Sequence, residues 1–142
     1  MMRYAVRLIP DDNGTVRVEV PDLPGTNTFG EDAEDALGHA VDAIDSMLEL
    51  LMDDRRPIPR PKGRGLHYVT LPPLKEAKLA LYELMLQRRL RKADLVRMLG
   101  WKPMQVDRLL DLQHNSRVDQ LQQAFAALGK ELVMTLQVRD AA

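Results

Sequence analysis

Apolar residues partly alternate along Tyr4-Ala5-Val6-Arg7-Leu8-Ile9 and alternate cleanly along Thr15-Val16-Arg17-Val18-Glu19-Val20, a period of two that predicts strands. Between them lies Pro10-Asp11-Asp12-Asn13-Gly14, a run of turn formers ending in Asn-Gly, which predicts a hairpin. In the second strand Val16, Val18 and Val20 share one face, and Arg17 and Glu19 the other. Pro21-Asp22-Leu23-Pro24-Gly25 breaks the chain, and Thr26 to Gly30 reads as a short third strand. From about Asp32, an N-cap residue, to about Asp53 the period becomes helical. Ala33, Ala36, Leu37, Ala40, Val41, Ile44, Met47, Leu48 and Leu51 form a face that covers the sheet. Glu31, Asp35, Asp42, Asp45 and Glu49 fall on the opposite side, either as a solvated face or as a surface for a cationic partner. The segment from Arg55 to Gly65 is an extended loop stiffened by three prolines, and His67-Tyr68-Val69-Thr70-Leu71 reads as a fourth strand. The order is βββαβ, with a boundary at Pro72-Pro73.

From Leu74 the pattern stays helical. Leu74, Ala77, Leu81, Leu84 and Met85 place a first helix to about Arg89, and Arg91 to Leu99 form a second, stopped by Gly100. Trp101-Lys102 make the turn, and Pro103 opens a third helix through Leu110. Short helix, glycine-containing turn and short helix is the helix-turn-helix arrangement that places a reading helix in the major groove. Ala93 is expected at the helix crossing, and Val106 and Leu109 on the buried face of the reading helix. Lys102, Met104, Gln105 and Arg108 are left near its exposed N-terminal side. Gln and Arg can bond base edges there, and Met can touch a thymine methyl. Around them Arg88, Arg89, Arg91, Lys92, Arg97 and Arg117 suit phosphates. The competing account of these features is a generic helical bundle with a basic surface. A helix from Val118 to Leu128, closed by Gly129, completes the bundle. Glu131 to Val138 then reads as a strand, which would pair with its counterpart in a second copy or with the N-terminal sheet.

Charge sharpens this division. The chain's net charge is −1, but residues 1–60 hold six Arg and no Lys against thirteen Asp and Glu, a net of −7. Residues 61–142 hold fourteen Lys and Arg against eight Asp and Glu, a net of +6. Two modules with different partners are expected, 1–71 and 72–142. The chain has 45% hydrophobic residues, enough for a packed core, and no apolar run near the ~18 residues of a membrane span. The N-terminal residues do not read as a signal peptide, and the absence of cysteine fits a reducing, cytoplasmic setting.

Together the modules resemble the HicB antitoxins of type II HicAB toxin–antitoxin systems, in the subgroup with a C-terminal helix-turn-helix. In the first module the resemblance rests on Tyr4-Ala5-Val6-Arg7-Leu8, Pro21-Asp22-Leu23-Pro24-Gly25, Glu31-Asp32-Ala33-Glu34-Asp35-Ala36 and Arg56-Pro57-Ile58-Pro59. In the second it rests on the run from Arg91 to Trp101 and on Gln105-Val106-Asp107-Arg108-Leu109-Leu110-Asp111. It implies an α+β protein: a partial ribonuclease-H-like domain followed by an all-α helix-turn-helix domain with a C-terminal strand. It also implies two partners, a HicA-type ribonuclease toxin bound by the first module and double-stranded operator DNA bound by the second, in a homodimer or homotetramer. Toxin contact would fall to Asp22, Leu23 and Pro24 with the helix acids Asp35, Asp42, Asp45 and Glu49. DNA contact would fall to Lys102, Met104, Gln105 and Arg108, with Lys92, Arg97 and Arg117 on phosphates. Pro103 and Met104 stand where phage-repressor-like domains often carry polar residues.

Two other classes compete with this reading. A stand-alone repressor would use the first module to sense a ligand or to oligomerise. A metal-dependent nuclease would need carboxylates converging on divalent ions. Asp11 and Asp12 sit in a turn, Asp22 in a loop, and His39, His67 and His114 are scattered without ligand spacing. Ser46 and Ser116 lack a nucleophile-elbow context, and no phosphate-cradling glycine loop is present. No metal, cofactor or catalytic residue is expected, and the chain reads as a binding protein rather than an enzyme.

Overall fold

The computed structural model describes residues 1–141. Strands β1 (Arg3–Pro10), β2 (Val16–Glu19) and β3 (Asn27–Gly30) precede helix α1 (Ala33–Asp53), and β4 (His67–Thr70) follows it. Helices α2 (Pro73–Gln87), α3 (Lys92–Leu99), α4 (Pro103–Leu109) and α5 (Val118–Ala127) complete the order. The sheet is antiparallel in the order β3-β2-β1-β4, with Leu8 opposite Val18 and Tyr4 opposite Val69. The predicted hairpin closes through Asp11 N–H to the Thr15 carbonyl at 2.8 Å, with Gly14 at φ 86°.

The period-two face of β2 does what alternation requires, since Val18 and Val20 are buried and Arg17 is exposed. Above it α1 lays down Ala36, Ala40, Ile44, Leu48 and Leu51. Asp32 caps this helix, its side chain accepting from Asp35 N–H at 2.8 Å. Gly30 permits the close approach of strand and helix, because a Cβ there would sit 2.3 Å from the backbone nitrogen of Ala36. Two expected members of the apolar face, Ala33 and Val41, are instead exposed at its edges.

The two halves share one continuous core running from Met2 to Leu128. α2 is the hinge of that packing. Its Tyr82 hydroxyl donates to the Arg56 carbonyl at 2.6 Å, and its Lys75 pairs with Asp45 of α1. The proline-rich loop is tied down rather than free. Tyr4 donates to the Pro59 carbonyl at 2.7 Å, and Ile58 is buried.

One expected element is not formed. Glu131 to Val138 makes no ladder; it runs as irregular chain, with Val133, Leu136 and Val138 exposed and Leu132 packed against the core. Alternation specifies faces, but a strand exists only where a partner offers free N–H and C=O groups. Here residues 132–135 instead line a cavity together with Thr70, Leu71, Ala77 and Ala80. Among the described residues no helix is long and apolar enough to cross a membrane.

Candidate protein and nucleic-acid interfaces

Helices α3 and α4 follow one another across the short connection Gly100–Lys102. Gly100 ends α3 in the left-handed region at φ 68°, which turns the chain sharply toward α4. Pro103 occupies the first turn of α4, and Gln105 Oε1 accepts from Lys102 N–H at 2.9 Å, fastening that helix's start. Val106 and Leu109 are buried beneath it, while Lys102, Met104, Gln105 and Arg108 are exposed. Leu95 is the buried residue of α3, and Val96 and Leu99 pack partly against the core; Ala93, expected at the crossing, is exposed.

Charge pairing separates the basic residues into two groups. Lys92 pairs with Asp107 at 3.2 Å, Arg97 with Asp94, and Arg117 with Asp119 at 2.6 Å. The Arg117 guanidinium holds the Asp119 carboxyl below its usual range by hydrogen bonding. Lys102 and Arg108 form no ion pair among the described residues, so their charge is free for a ligand. Gln105 is half-committed, because its carbonyl oxygen is used in the cap while its amide hydrogens face outward.

The acidic helix is also divided, in a way its helical wheel does not show. Asp35 and Asp42 lie on the outer side with His39, whose imidazole Nδ1 sits 2.6 Å from the Phe29 carbonyl. That carbonyl, and then Asp35, hold the His39 pKa above its ordinary value. Phe29 is 63% exposed beside them, an apolar side chain that periodicity assigned merely to a strand. Asp45 by contrast is 6% exposed, pairs with Lys75 and accepts from Gln113 Nε2 at 3.2 Å. Glu49 accepts from the same amide at 3.4 Å.

In the Pro21–Gly25 motif the roles are mostly architectural. Asp22 Oδ2 accepts from Lys62 N–H at 2.8 Å and Gly63 N–H at 2.6 Å, which holds its pKa below the ordinary carboxylate value. Leu23 is 1% exposed and contributes packing, whereas Pro24 is exposed. No group of three or more potential metal ligands occurs among the described residues.

Residues 3–80 match the family described as the HicB_like antitoxin of bacterial toxin–antitoxin systems. The chain is 38% identical over 131 residues to antitoxin HicB 2 of Photorhabdus laumondii, covering 92% of this chain and 94% of that protein. It is 31% identical over 137 residues to antitoxin HicB of Escherichia coli K12, covering 95% and 99% respectively. Antitoxin HicB of Pseudomonas fluorescens is 31% identical over 140 residues, covering 96% and 95%. The likeness therefore runs through the sheet module and all four C-terminal helices, and the chain belongs to the HicB antitoxin family.

Proposed function

We propose that this chain is the antitoxin of a toxin–antitoxin pair, acting in the cytoplasm on two partners. Residues 1–71, as a truncated ribonuclease-H-like domain, bind and neutralise a HicA-type mRNA-cleaving ribonuclease. Residues 72–142 bind double-stranded operator DNA as a homodimer or homotetramer and repress the chain's own operon. The observation that carries this reading is the near full-length likeness to proteins named antitoxin HicB. The family makes the chain a binding protein and not an enzyme.

The toxin-facing surface is best supported around Asp35 and Asp42 with Pro24, joined by the exposed Phe29. An exposed apolar side chain with Asp42 beside it suits a basic surface built to hold RNA phosphates. Asp22, Asp45 and Glu49 would reach the toxin only by giving up bonds within the chain, and Leu23 is buried. On the other side, Lys102, Met104, Gln105 and Arg108 form the base-reading set. Lys92, Arg97 and Arg117 exchange their carboxylate partners for phosphates.

The decisive test is co-purification of the full chain with a tagged HicA-type protein encoded beside it, followed by an RNA-cleavage assay. A stable complex that silences cleavage is the expected result. Absence of a complex, with duplex binding intact, would make the protein a plain repressor and leave the acidic module as a sensor or assembly domain.

A further inference from the structure

Lys78 on α2 is fully shut from solvent, 0% exposed, among the apolar side chains of the core. Its Nζ donates to three backbone carbonyls: Arg108 at 3.0 Å, Asp111 at 2.6 Å and His114 at 2.7 Å. An ammonium carries three N–H groups, so donors and acceptors match one for one. The first of these oxygens closes the last turn of α4, and the other two belong to the loop that follows it. Each of the three also accepts a backbone N–H, from Asp111, His114 and Ser116 respectively, and a helix end carries partial negative charge that a cation satisfies. α4 has seven residues and ends at Leu110 without a left-handed glycine. So short a helix does not hold itself, and its C-terminal cap is supplied by another helix.

We infer that Lys78 is a positioning residue for DNA recognition, clamping the C-terminal end of α4 and the 111–114 loop onto α2 so that Lys102, Met104, Gln105 and Arg108 are presented at one fixed angle. This rests on the DNA-binding reading above. The same loop is fastened a second time where Gln113 reaches Asp45 and Glu49 of α1. Lys75, one turn before Lys78, holds that Asp45. The charged and titratable groups around the ammonium are Asp111 and His114 in the loop, Arg108 on α4, and Lys75 with Asp45 at the neighbouring turn. His114 is itself bonded to Ser116.

Chemistry makes the clamp sensitive to alkali. Burial pulls the Lys78 ammonium down to about 8, with the Asp111 charge opposing. A neutral amine has two N–H groups for three carbonyls, so its formation releases one of them and relaxes the end of α4. A guanidinium stays charged throughout this range, and an ordinary lysine titrates at about 10.4.

The test compares full-length wild type with Lys78→Met and Gln113→Ala. Affinity for the operator and for a scrambled duplex is read by fluorescence anisotropy at one salt concentration, with folding checked by circular dichroism. The expected result is that Lys78→Met loses about tenfold in operator affinity while scrambled-duplex affinity stays within about twofold, since phosphate contacts survive a tilted helix. Gln113→Ala shows the same pattern more weakly. The wild-type ratio of the two affinities falls between about pH 7 and pH 9.5, and in Lys78→Met it is flat.

Equal loss on both duplexes would reveal mere destabilisation and overturn the proposal, as would unchanged operator affinity. If Lys78→Met does not fold, the wild-type pH profile decides, and a flat ratio to about pH 9.5 refutes the clamp. A wild type with no preference for operator over scrambled duplex would sink the DNA-binding reading itself and take this inference with it.

Discussion

Truncating Leu95 to alanine tests whether α3 and α4 are held together by one side chain. Leu95 is the buried residue of an eight-residue helix, is 0% exposed, and packs in the same core as Val106 and Leu109 of α4. The substitution removes three carbon atoms from a closed site, a transfer loss of about 2.4 kcal/mol at about 0.8 kcal/mol per methylene. The cavity left behind brings the usual cost of such changes to about 3–4 kcal/mol. Val96, Leu99 and Trp101 pack against the same core but are less buried, and the exposed Lys92–Asp107 pair contributes at most about 1 kcal/mol. Trp101, the sole tryptophan, lies half-buried at the α3–α4 turn and reports on this region by fluorescence. In urea, a loss of about 3 kcal/mol at a slope of about 1.5 kcal/mol per molar lowers the midpoint by about 2 M. A shift below about 0.5 M would refute the reasoning, because it would mean the crossing is secured elsewhere or collapses around the gap without cost.

Arg108→Ala, which removes an exposed side chain without an ion-pair partner, lowers operator affinity by about 1–3 kcal/mol, or about 5- to 150-fold, with an unchanged melting temperature. Unchanged affinity in an electrophoretic shift assay would show that α4 is not the reading helix. Gly30→Ala drives a Cβ against the Ala36 backbone and destabilises by about 1–3 kcal/mol in thermal unfolding. Gly38→Ala, a helical position with open space around it, serves as the control and gains up to about 1 kcal/mol. Asp22→Asn removes a carboxylate whose pKa is depressed in the folded chain by the N–H groups of Gly63 and Lys62. Its contribution is present above the ordinary value of 3.8 and fades as pH falls through the depressed value, so wild type and variant converge in stability at low pH.

Element type and order were legible in the sequence because both periods are clean where they matter. Val16-Arg17-Val18-Glu19 can bury one face only as a strand, and Ala36, Ala40, Ile44 and Leu48 only as a helix. The turn at Gly100 was legible for a different reason, since the chain needs a left-handed residue there and glycine takes it without strain. Residues 131–138 were misread because alternation is a local property, while a ladder depends on an unpaired edge elsewhere. Ala93 was misplaced by assigning smallness to a crossing that Leu95 fills. Lys78 left a trace that the periodicity reading passed over. It stands four residues after Leu74 and three before Leu81, in the apolar stripe of α2, and three carbonyls from residues 30 to 36 places away satisfy it there.

That long-range junction bears on how the two proposed activities relate. By sequence the acids of α1 are equivalent, a single stripe of one sign, yet packing divides them. Asp45 has given up water for Lys75 and Gln113, and breaking such a pair would strand a buried charge at a cost of several kcal/mol. Asp35 and Asp42 have made no such commitment to the C-terminal helices. A basic partner seated on the first half of α1, around Phe29 and Asp42, leaves the Gln113 contact in place and does not disturb α4. One that drew Asp45 and Glu49 to itself would detach the 111–114 loop, and with it one of the two fastenings behind the reading helix. On the proposed function, coupling between toxin and operator would depend on which half of one helix the toxin covers, since linkage requires that a ligand treat the fastened and unfastened loop differently.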